Sequence, residues 1–405
     1  MLVNISAVFC QWNLQANYTS SRLESVFFPD SNTGYIVGTG GTIMKTTNGG
    51  SSWTFPSGIT YPDMYFYSVY FSDANTGYIV GIPGISNTCK ILKTINGGID
   101  WYSLSYGTAH QLKIFFTNAN TGYAAGDRLP GLSGIIFKTS DSGNTWYGQS
   151  VGSGESSLYA VFFPNPDTGI AVGYHGIIKK TTNAGLSWDD QVSGTTNNLL
   201  SVYFNDANNG YAVGSQGTIL KTTNGGTTWI NINPPQSFLD EFNAVYFTDT
   251  NTGYVVGRKM PGLYGVILKT TDGGENWLNQ YIGPEVLNSV YFTNPDTGYA
   301  VGVNGTILKT TNGGGTVGIY EKQQKNKITI FPNPSKELLT LELLEPAKII
   351  NSISICDITG YQHIQQQIQN SEFKMIVNVS SLSKGIYFVK LVTQETSYIG
   401  KFLKD

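Results

Sequence analysis

The chain has 405 residues, of which 40% are hydrophobic and only 13% are charged, against roughly 25% charged residues in an average globular domain. Its 48 glycines and 25 tyrosines make it rich in turns and aromatic side chains, which favours an all-β fold over a helical bundle or a disordered chain. The formal net charge of −3 provides no basic surface for nucleic acid, so that class of partner is excluded.

The N-terminal stretch MLVNISAVFC, residues 1–10, is the longest apolar stretch, and we expect it to be the remnant of a signal peptide. It lacks the positive charge that opens such a peptide, so the natural start is expected to lie upstream; an ordinary leading strand is the alternative. No run approaches the ~18 apolar residues that cross a bilayer, so no transmembrane segment is expected. The three cysteines are scattered and imply no disulfide framework.

An apolar triplet recurs seven times along the chain, at intervals of 41 to 47 residues, and defines repeats 1 to 7. Each triplet is followed by a polar turn, a segment such as TGYIVG (33–38), a segment such as GTIMKTT (41–47), a glycine turn and a tryptophan. Four short strands in a unit of roughly 40–45 residues are typical of a β-propeller blade. The triplets begin at Val26, Val69, Ile114, Val161, Val202, Val245 and Val290.

The tryptophans indicate how the repeats close into a ring. Six repeats end in a tryptophan, whereas the seventh reads TTNGGGTV and has none. Trp12 precedes the first triplet by 14 residues, within the spacing of 13 to 16 residues found inside the chain. We therefore expect the N-terminal segment to supply the outer strand of the last blade and to close a seven-bladed β-propeller over residues 11–316. The tryptophans expected to be structural are Trp12, Trp53, Trp101, Trp146, Trp188, Trp229 and Trp277.

The glycine turns, such as TTNGGSSW (46–53) and TSDSGNTW (139–146), resemble the Asp-box (BNR) repeat, Ser/Thr-x-Asp-x-Gly-x-Thr/Ser-Trp. Residues 139–146 fit it fully, and most of the other turns carry Asn for Asp. The whole unit, with TGYxVG and ILKTTNGGxxW, resembles the photosystem II stability/assembly factor family of seven-bladed propellers over about residues 12–317. The resemblance implies the fold and structural turns, whereas function depends on sites that a fold carries.

A lysine recurs in the third strand of every repeat, and we expect it to be structural, with its aliphatic stem covering apolar surface. These lysines are Lys45, Lys93, Lys138, Lys180, Lys221, Lys269 and Lys309.

The repeats differ from one another on one face only. The turns between strands one and two and between strands three and four are nearly uniform, whereas the loops on the opposite face vary in length and composition. Variable loops on a rigid scaffold commonly carry binding sites, so we expect this loop face to bind. Its three arginines suggest either a clamp for an anion or ordinary surface residues. The candidates are Arg22, Tyr65, Tyr106, Asp127, Arg128, His175, Asp240, Arg258, Lys259 and Tyr264.

Catalytic motifs do not emerge from the sequence. The three histidines lie far apart, no HxxxH or CxxC spacing occurs, and no phosphate-binding loop appears, so no metal, cofactor or catalytic residue is predicted. Glycoside hydrolysis needs two carboxylates beside a cleft, and the loop carboxylates show no paired spacing.

The pattern changes after Thr316. The polar segment 317–327 is predicted to be a linker. Residues 328–405 contain about seven strand-like segments whose alternation predicts a small β-sandwich.

Four motifs of this tail, FPNPSKELLTLEL, ISICDITGYQ, SSLSKGIYFVKL and KFLKD, resemble the C-terminal sorting domain of type IX (Por) secretion substrates. The resemblance implies recognition by the type IX machinery of a Bacteroidetes-type bacterium. In that family the tail is usually removed, which would place the cut within 317–327, and the cargo is secreted or held on the outer cell surface. The motif residues are Pro332, Asn333, Pro334, Asp357, Gly360, Gly385, Tyr387 and Lys401.

Together these features predict a non-enzymatic binding module for an unknown extracellular protein or glycan. The alternative is a sialidase-like glycoside hydrolase of the Asp-box type. A third reading, a photosystem assembly factor, conflicts with an export signal.

Overall fold

A computed structural model describes residues 12–16, 18–57, 61–84, 88–128, 133–151, 156–232, 240–260, 262, 264–315, 328–343, 350–357, 361–370, 374–393 and 397–405. Strands dominate these residues, and no α-helix occurs among them, which confirms the predicted all-β class. They belong to two compact units, one of Trp12–Gly314 and a second that includes residues 328–405.

The first unit consists of short strands, with single turns of 3-10 helix at Tyr174–Gly176 and Val303–Gly305. Its strands are β1 (Asn13–Leu14), β2 (Leu23–Phe27), β3 (Gly34–Gly38), β4 (Ile43–Thr46), β5 (Met64–Phe71), β6 (Gly77–Pro83), β7 (Thr88–Thr94), β8 (Tyr102–Phe116), β9 (Gly122–Arg128), β10 (Ser133–Thr139), β11 (Tyr147–Ser150), β12 (Leu158–Phe162), β13 (Gly169–Gly173), β14 (Ile178–Thr181), β15 (Asp189–Gln191), β16 (Leu199–Phe204), β17 (Gly210–Gly214), β18 (Ile219–Thr222), β19 (Ile230–Asn231), β20 (Glu241–Phe247), β21 (Gly253–Lys259), β22 (Tyr264–Thr270), β23 (Leu278–Gly283), β24 (Leu287–Phe292), β25 (Thr297–Gly302) and β26 (Ile307–Thr311).

Each repeat folds into its own antiparallel sheet with neighbouring strands in chain order. Repeats 4, 5 and 6 form four-stranded sheets, and repeats 2 and 3 are joined because β8 is long enough to end one sheet and begin the next. In repeat 1 a single bridge between Lys45 and Thr54 stands in the place of a fourth strand. In repeat 7, β1 from the N-terminal segment pairs with β26, with Asn13 opposite Lys309.

Aromatic side chains fill the contacts between consecutive repeats. The tyrosine of each TGYxVG segment stacks on the last aromatic residue of the next triplet, as Tyr35 does on Phe71 with ring centroids 3.9 Å apart. The tryptophan of that next repeat meets the same phenylalanine edge-on, as Trp101 meets Phe71 at 6.0 Å. Trp12 takes this position in repeat 7, at 5.7 Å from Phe292 and an angle of 88°. Edge-to-face and offset-stacked pairs are the geometries that aromatic quadrupoles favour.

The turn carbonyl contact, our name for the bond between a glycine-turn carbonyl and the preceding repeat, links the same elements through polar groups. The Gly97 carbonyl accepts hydrogen bonds from both Tyr35 Oη and Lys45 Nζ, each at 2.7 Å. Gly49 accepts the equivalent pair from the last repeat, from Tyr299 Oη at 2.7 Å and Lys309 Nζ at 2.6 Å. The repeated lysine is therefore held by its amine, a contact that the sequence prediction of a covering stem did not include.

A glycine is required where the turn passes over the tyrosine ring. Gly98 has φ +75°, and a Cβ built on it would lie 2.9 Å from Tyr35 Cε1. Only glycine combines this backbone conformation with so close an approach, which explains the second glycine of the motif.

The second unit is a pair of antiparallel sheets with a common core. One sheet has the order β27-β28-β31 and the other the order β30-β29-β32-β33. Buried side chains from both sheets, among them Leu339, Val377, Ile355 and Val389, form one hydrophobic cluster. The strands are β27 (Ile328–Phe331), β28 (Leu338–Leu343), β29 (Ile350–Asp357), β30 (Gln362–Asn370), β31 (Lys374–Asn378), β32 (Gly385–Thr393) and β33 (Ser397–Lys404).

The turn carbonyl contact predicts a measurable coupling. The buried Gly313 carbonyl accepts from Tyr254 Oη at 2.8 Å and from Lys269 Nζ at 2.7 Å. Tyr254→Phe and Lys269→Met should each destabilise the unit by about 1 kcal/mol, because one donor remains for the carbonyl. The double variant should lose more than the sum, since the carbonyl is then buried without a partner.

Tryptophan fluorescence during urea unfolding measures this unit alone, because all seven tryptophans lie within residues 12–277. Tyr147→Phe, at a ring that is 72% exposed, is the matched control and should change nothing. Additive losses in the double variant would show that the two donors do not share the carbonyl.

Candidate functional site

The two faces of the repeats are built differently. We call the face that carries the uniform turns the turn face. There the glycine turn bonds to the first turn of its own repeat, as Gly49 N–H donates to Asn32 O at 2.8 Å and Gly97 N–H donates to Asn75 O at 2.8 Å. The loop face carries the variable segments. There the short loops reach the next repeat, as Gly41 N–H donates to Met64 O at 2.7 Å.

Seven aromatic side chains, one from the middle of each triplet, contact one another in a cycle. Consecutive ring centroids lie 4.9 to 5.8 Å apart, and Phe27 of repeat 1 meets Tyr291 of repeat 7 at 5.2 Å. The four tyrosine hydroxyls donate to backbone carbonyls of neighbouring repeats at 2.9 to 3.1 Å. The members of this aromatic cycle are Phe27, Tyr70, Phe115, Phe162, Tyr203, Tyr246 and Tyr291.

A β-bulge lies three residues before the cycle on the first strand of several repeats, toward the loop face. The register shifts between Leu23 and Ser25, and at the equivalent places in repeats 2 and 7. A bulge turns the side chain of the extra residue out of the regular alternation. The residues so placed are Glu24, Tyr67 and Asn288.

These bulge residues carry a group of polar contacts that we call the mouth cluster: Arg22, Glu24, Tyr67, Lys113 and Asn288. Arg22 Nε lies 2.7 Å from Glu24 Oε1, and Arg22 Nη2 donates to Asn288 Oδ1 at 3.3 Å. Lys113 Nζ donates to the Tyr67 carbonyl at 3.3 Å. The cluster spans repeats 7, 1, 2 and 3 and lies about 10 Å toward the loop face from the aromatic cycle, at ~3.3 Å per strand residue.

Partial burial shifts the pKa of two charged groups of the cluster. Burial raises the pKa of Glu24, against the opposing effect of Arg22 and Lys113. Burial lowers the pKa of Lys113, and Glu24 partly offsets that shift. The charges of Glu24 in repeat 1 and Lys113 in repeat 3 thus influence each other's pKa. Desolvated charges of this kind are common at functional sites.

The candidates of repeats 2 and 3 separate into exposed and buried groups. Tyr65 is 42% exposed on β5, and Arg128 is exposed at the end of β9. Asp127 is buried and accepts a hydrogen bond from Ser157 Oγ at 2.8 Å, so it connects repeats 3 and 4. The side chain of Tyr106 lies outside the described residues.

The charged candidates of repeat 6 form ion pairs within that repeat. Arg258 Nη2 lies 2.8 Å from Glu241 Oε2 on the paired strand. Asp240 is buried, accepts the Met260 N–H at 3.1 Å and lies 3.6 Å from Lys259 Nζ, which fixes the start of a long loop. Tyr264 is 51% exposed on β22. The three arginines thus have separate surroundings, and only Arg22 belongs to the mouth cluster.

His175 occupies the short loop of repeat 4. Its φ of +50° lies in the left-handed region, which histidine adopts more readily than most residues other than glycine. The His175 ring stacks on the Tyr174 ring with centroids 3.9 Å apart, and the His175 backbone N–H donates to Asn198 Oδ1 at 3.0 Å. His175 also borders an open groove that includes Ser193 and Thr195.

The Asp-box turn of repeat 3 is a network of local hydrogen bonds. Asp141 accepts from Thr145 Oγ1 at 2.6 Å, from the Thr145 N–H at 2.9 Å and from Thr139 Oγ1 at 2.8 Å. The Gly143 N–H donates to Thr139 Oγ1 at 2.9 Å. The bonds from Thr145 and Thr139 lower the pKa of Asp141 to about 2. In repeat 1, Asn48 makes the equivalent bonds to Ser52, which explains why Asn replaces Asp in most turns.

Several sorting-motif residues bond across the second unit. Asn333 Oδ1 accepts the Leu403 N–H at 2.8 Å and Asn333 Nδ2 donates to Lys401 O, so the PNP segment holds the last strand. Pro332 and Pro334 flank Asn333, and Gly385 pairs with Lys404.

The remaining motif residues lie near β29 and β32. Asp357 accepts from the Tyr361 N–H at 3.2 Å and lies 2.8 Å from His363 Nε2. The buried Tyr387 donates its hydroxyl to Ser383 O at 3.0 Å. Gly360 lies outside the described residues.

Within the part of the chain that the structure describes, no group of three or more His, Cys, Asp or Glu side chains could hold a metal ion. The same residues contain no helix with the length and apolar character of a membrane span.

Sequence reasoning missed Glu24, Tyr67, Lys113 and Asn288. One signal was present: the residue just before the triplet is Ser or Ala in six repeats and Lys113 in repeat 3. The bulge that brings Glu24, Tyr67 and Asn288 to the same place has no comparable pattern in the sequence.

The repeated sheets and the tail define an all-β, propeller-like repeat protein with a separate C-terminal β-unit. The family Photosynthesis system II assembly factor YCF48 matches residues 5–111 and 180–285, more than half of the chain, and the chain belongs to this family. The Secretion system C-terminal sorting domain matches residues 329–405. The protein is therefore secreted through the type IX system to the cell surface or the extracellular space.

Solved structures agree on the fold. The structure of YCF48 bound to D1 peptide has a TM-score of 0.61 at 21% identity and covers 76% of this chain and 100% of that chain. YCF48 from Cyanidioschyzon merolae has a TM-score of 0.59 at 19% identity and covers 74% and 98%. The GH74 enzyme of Niastella koreensis has a TM-score of 0.60 at 14% identity and covers 82% and 59%. No curated protein matches the chain.

Asp141 predicts a pH dependence. Because its pKa is lowered on folding, its ionised form contributes stability above the ordinary aspartate value, and this contribution is lost as the pH falls toward about 2. Asp141→Asn keeps the local bonds without a titrating group. The stability advantage of the natural protein over this variant should therefore shrink between pH 5 and pH 2, roughly the range over which such a carboxylate titrates.

Urea unfolding followed by tryptophan fluorescence across this pH range measures the difference. Asp141→Ala is the control, because it should be less stable than Asp141→Asn at every pH. A constant difference between the natural protein and Asp141→Asn would contradict the assignment.

Proposed function

We propose that the chain is a non-enzymatic binding module, exported by the type IX system, whose loop face takes an extracellular protein or glycan. The observation that carries this proposal is the mouth cluster. It places a partly buried Glu24 and a partly buried Lys113 on the loop side of the aromatic cycle, where desolvation shifts the pKa of each. Burying charges costs free energy that packing alone does not return, so a ligand-binding role accounts for them best.

The scaffold of this module is a closed ring of seven blades. Three contacts support closure: β1 pairs with β26, the Gly49 carbonyl binds Tyr299 and Lys309 of the last repeat, and Phe27 meets Tyr291 in the aromatic cycle. Residues 11–316 would form the ring, 317–327 the linker that is cut, and 328–405 the sorting domain.

The hydrolase alternative has no comparable support. The loop-face carboxylates bind groups of the protein itself: Glu24 binds Arg22, Asp127 binds Ser157, and Glu241 binds Arg258. None of these contacts forms the carboxylate pair that glycoside hydrolysis uses. The likeness to the GH74 enzyme extends to the fold only.

Photosystem assembly is the other activity that the family name suggests. The solved YCF48 relative binds a D1 peptide. A sorting domain at residues 329–405 sends this chain to the outside of the cell, so we propose that it uses the same scaffold for a different, extracellular ligand.

Closure predicts that the N-terminal segment stabilises the whole ring. Deleting residues 1–15, or Trp12→Ala, removes a buried tryptophan that is 2% exposed and should cost roughly 3–5 kcal/mol. Thermal unfolding measured by calorimetry provides the test. Leu14→Ser is the control, because that side chain is 69% exposed. An unchanged melting temperature in the deletion would refute closure.

The binding face predicts which variants lose the ligand. The full chain should bind a component of the cell-surface extract or a glycan on an array. Tyr65→Ala, on the loop face, should weaken this binding at least tenfold, because an exposed aromatic is a frequent anchor of binding. Tyr147→Ala, an exposed tyrosine of outer strand β11, should leave it unchanged. Loss in the Tyr147 variant alone would place binding elsewhere.

A further inference from the structure

The charges of the mouth cluster point to a class of ligand, a step that rests on the proposed binding function. Lys113 takes a position that belongs to serine or alanine in the other repeats. The serines there have a structural task, as Ser25 Oγ accepts the Val69 N–H at 3.3 Å and Ser68 Oγ accepts the Ile114 N–H at 3.4 Å. Lysine has no acceptor and cannot perform that task.

The cluster has more cations than anions. Arg22 and Lys113 carry two positive charges, and Glu24 carries one negative charge that Arg22 already contacts at 2.7 Å. Lys113 has three N–H donors, and the Tyr67 carbonyl at 3.3 Å accepts one. The Arg22 side chain is 52% exposed toward the loop side. The surplus charge and the remaining donors suit an anion, and a planar carboxylate matches a guanidinium especially well.

A peptide strand has little to bind in this place. Peptides that add to a sheet need a free strand edge. Side chains of neighbouring repeats already occupy the backbone groups of the first strands. Serine hydroxyls accept backbone N–H groups, and asparagine side chains donate to backbone carbonyls. The serines are Ser25, Ser68, Ser201 and Ser289, and the asparagines are Asn243 and Asn288. Recognition is left to side chains, among them Tyr65, whose ring is 42% exposed on β5 two residues before the bulge residue Tyr67.

We propose that the mouth cluster binds the carboxylate of an acidic sugar residue, with Lys113 and Arg22 as its cationic partners. Glu24 holds Arg22 in position, and the aromatic cycle forms the floor that limits how far the sugar enters. Tyr65 packs against the ring of the sugar, as aromatic side chains commonly do in ligand sites.

The test is calorimetric titration of the full chain with an oligogalacturonate and with the neutral oligogalactan of equal length. The acidic ligand should bind at least tenfold more tightly. Lys113→Met and Arg22→Gln should each reduce its affinity at least tenfold. Lys384→Met is the control for loss of a cation, because Lys384 lies in the second unit with its side chain 83% exposed, and the affinity of this variant should not change.

Lys113→Met also separates function from folding. Lys113 is partly buried, and replacing a desolvated charge by an apolar side chain of similar volume is often neutral or stabilising. The variant should therefore keep or raise the melting temperature while it loses the ligand, a result that a purely structural lysine would not give.

The inference is overturned if both oligosaccharides bind equally, if neither binds, or if acidic binding survives Lys113→Met. It is equally overturned if an acidic peptide, and not the sugar, depends on Lys113. In each case, retention of a surface-extract component that Tyr65→Ala abolishes would leave the proposed function standing. Loss of that retention as well would refute both.

Discussion

In five of the seven repeats, one backbone carbonyl of a glycine turn accepts two side-chain donors of the preceding repeat, and the uniform turn face depends on this contact. In repeat 1, Tyr35 Oη and Lys45 Nζ both reach the Gly97 carbonyl of the next turn at 2.7 Å. The acceptor must lie at a fixed distance from two strands of another repeat, so the turn that carries it cannot change length. This requirement explains why the turn face is uniform and why the sequence can vary only on the loop face.

Repeat 4 shows how the contact with the next turn persists when the tyrosine donor is missing. Ile170 stands where the other repeats have tyrosine, so the hydroxyl is missing, yet Lys180 still reaches the next turn through Thr227 Oγ1 at 2.8 Å. An isoleucine keeps the apolar contact, and Gly226 lies over it as other glycines lie over tyrosine rings. In repeat 2 the tyrosine keeps the carbonyl, as Tyr78 Oη donates to Ser142 O at 2.7 Å, while Lys93 Nζ donates to Asn144 Oδ1 of the same turn at 2.8 Å. The lysine thus reaches the next turn in every repeat, although its acceptor atom varies.

Much of the architecture could be predicted from the sequence, because it is repeated. The strand order, the glycine turns and the role of Trp12 follow from spacing alone, and Trp12 packs on Phe292 as its counterparts pack on theirs. The site was harder to predict. Arg22 was identified, whereas Glu24 and Asn288 are brought together by β-bulges, and Asp240 proved to be buried beneath its loop. Bulges and long-range contacts depend on how repeats stack, which a local pattern does not encode.

The two sets of lysines illustrate the difference between structure and function within one scaffold. The seven turn lysines bind neighbouring turns, as Lys269 does at 2.7 Å, so their cost of burial is returned by the contact they make. Lys113 makes one longer contact, at 3.3 Å, and displaces a serine that elsewhere holds the next strand. The scaffold therefore gains little from Lys113. A lysine that does not make the bond of Ser25 or Ser68 is best explained by what it can bind.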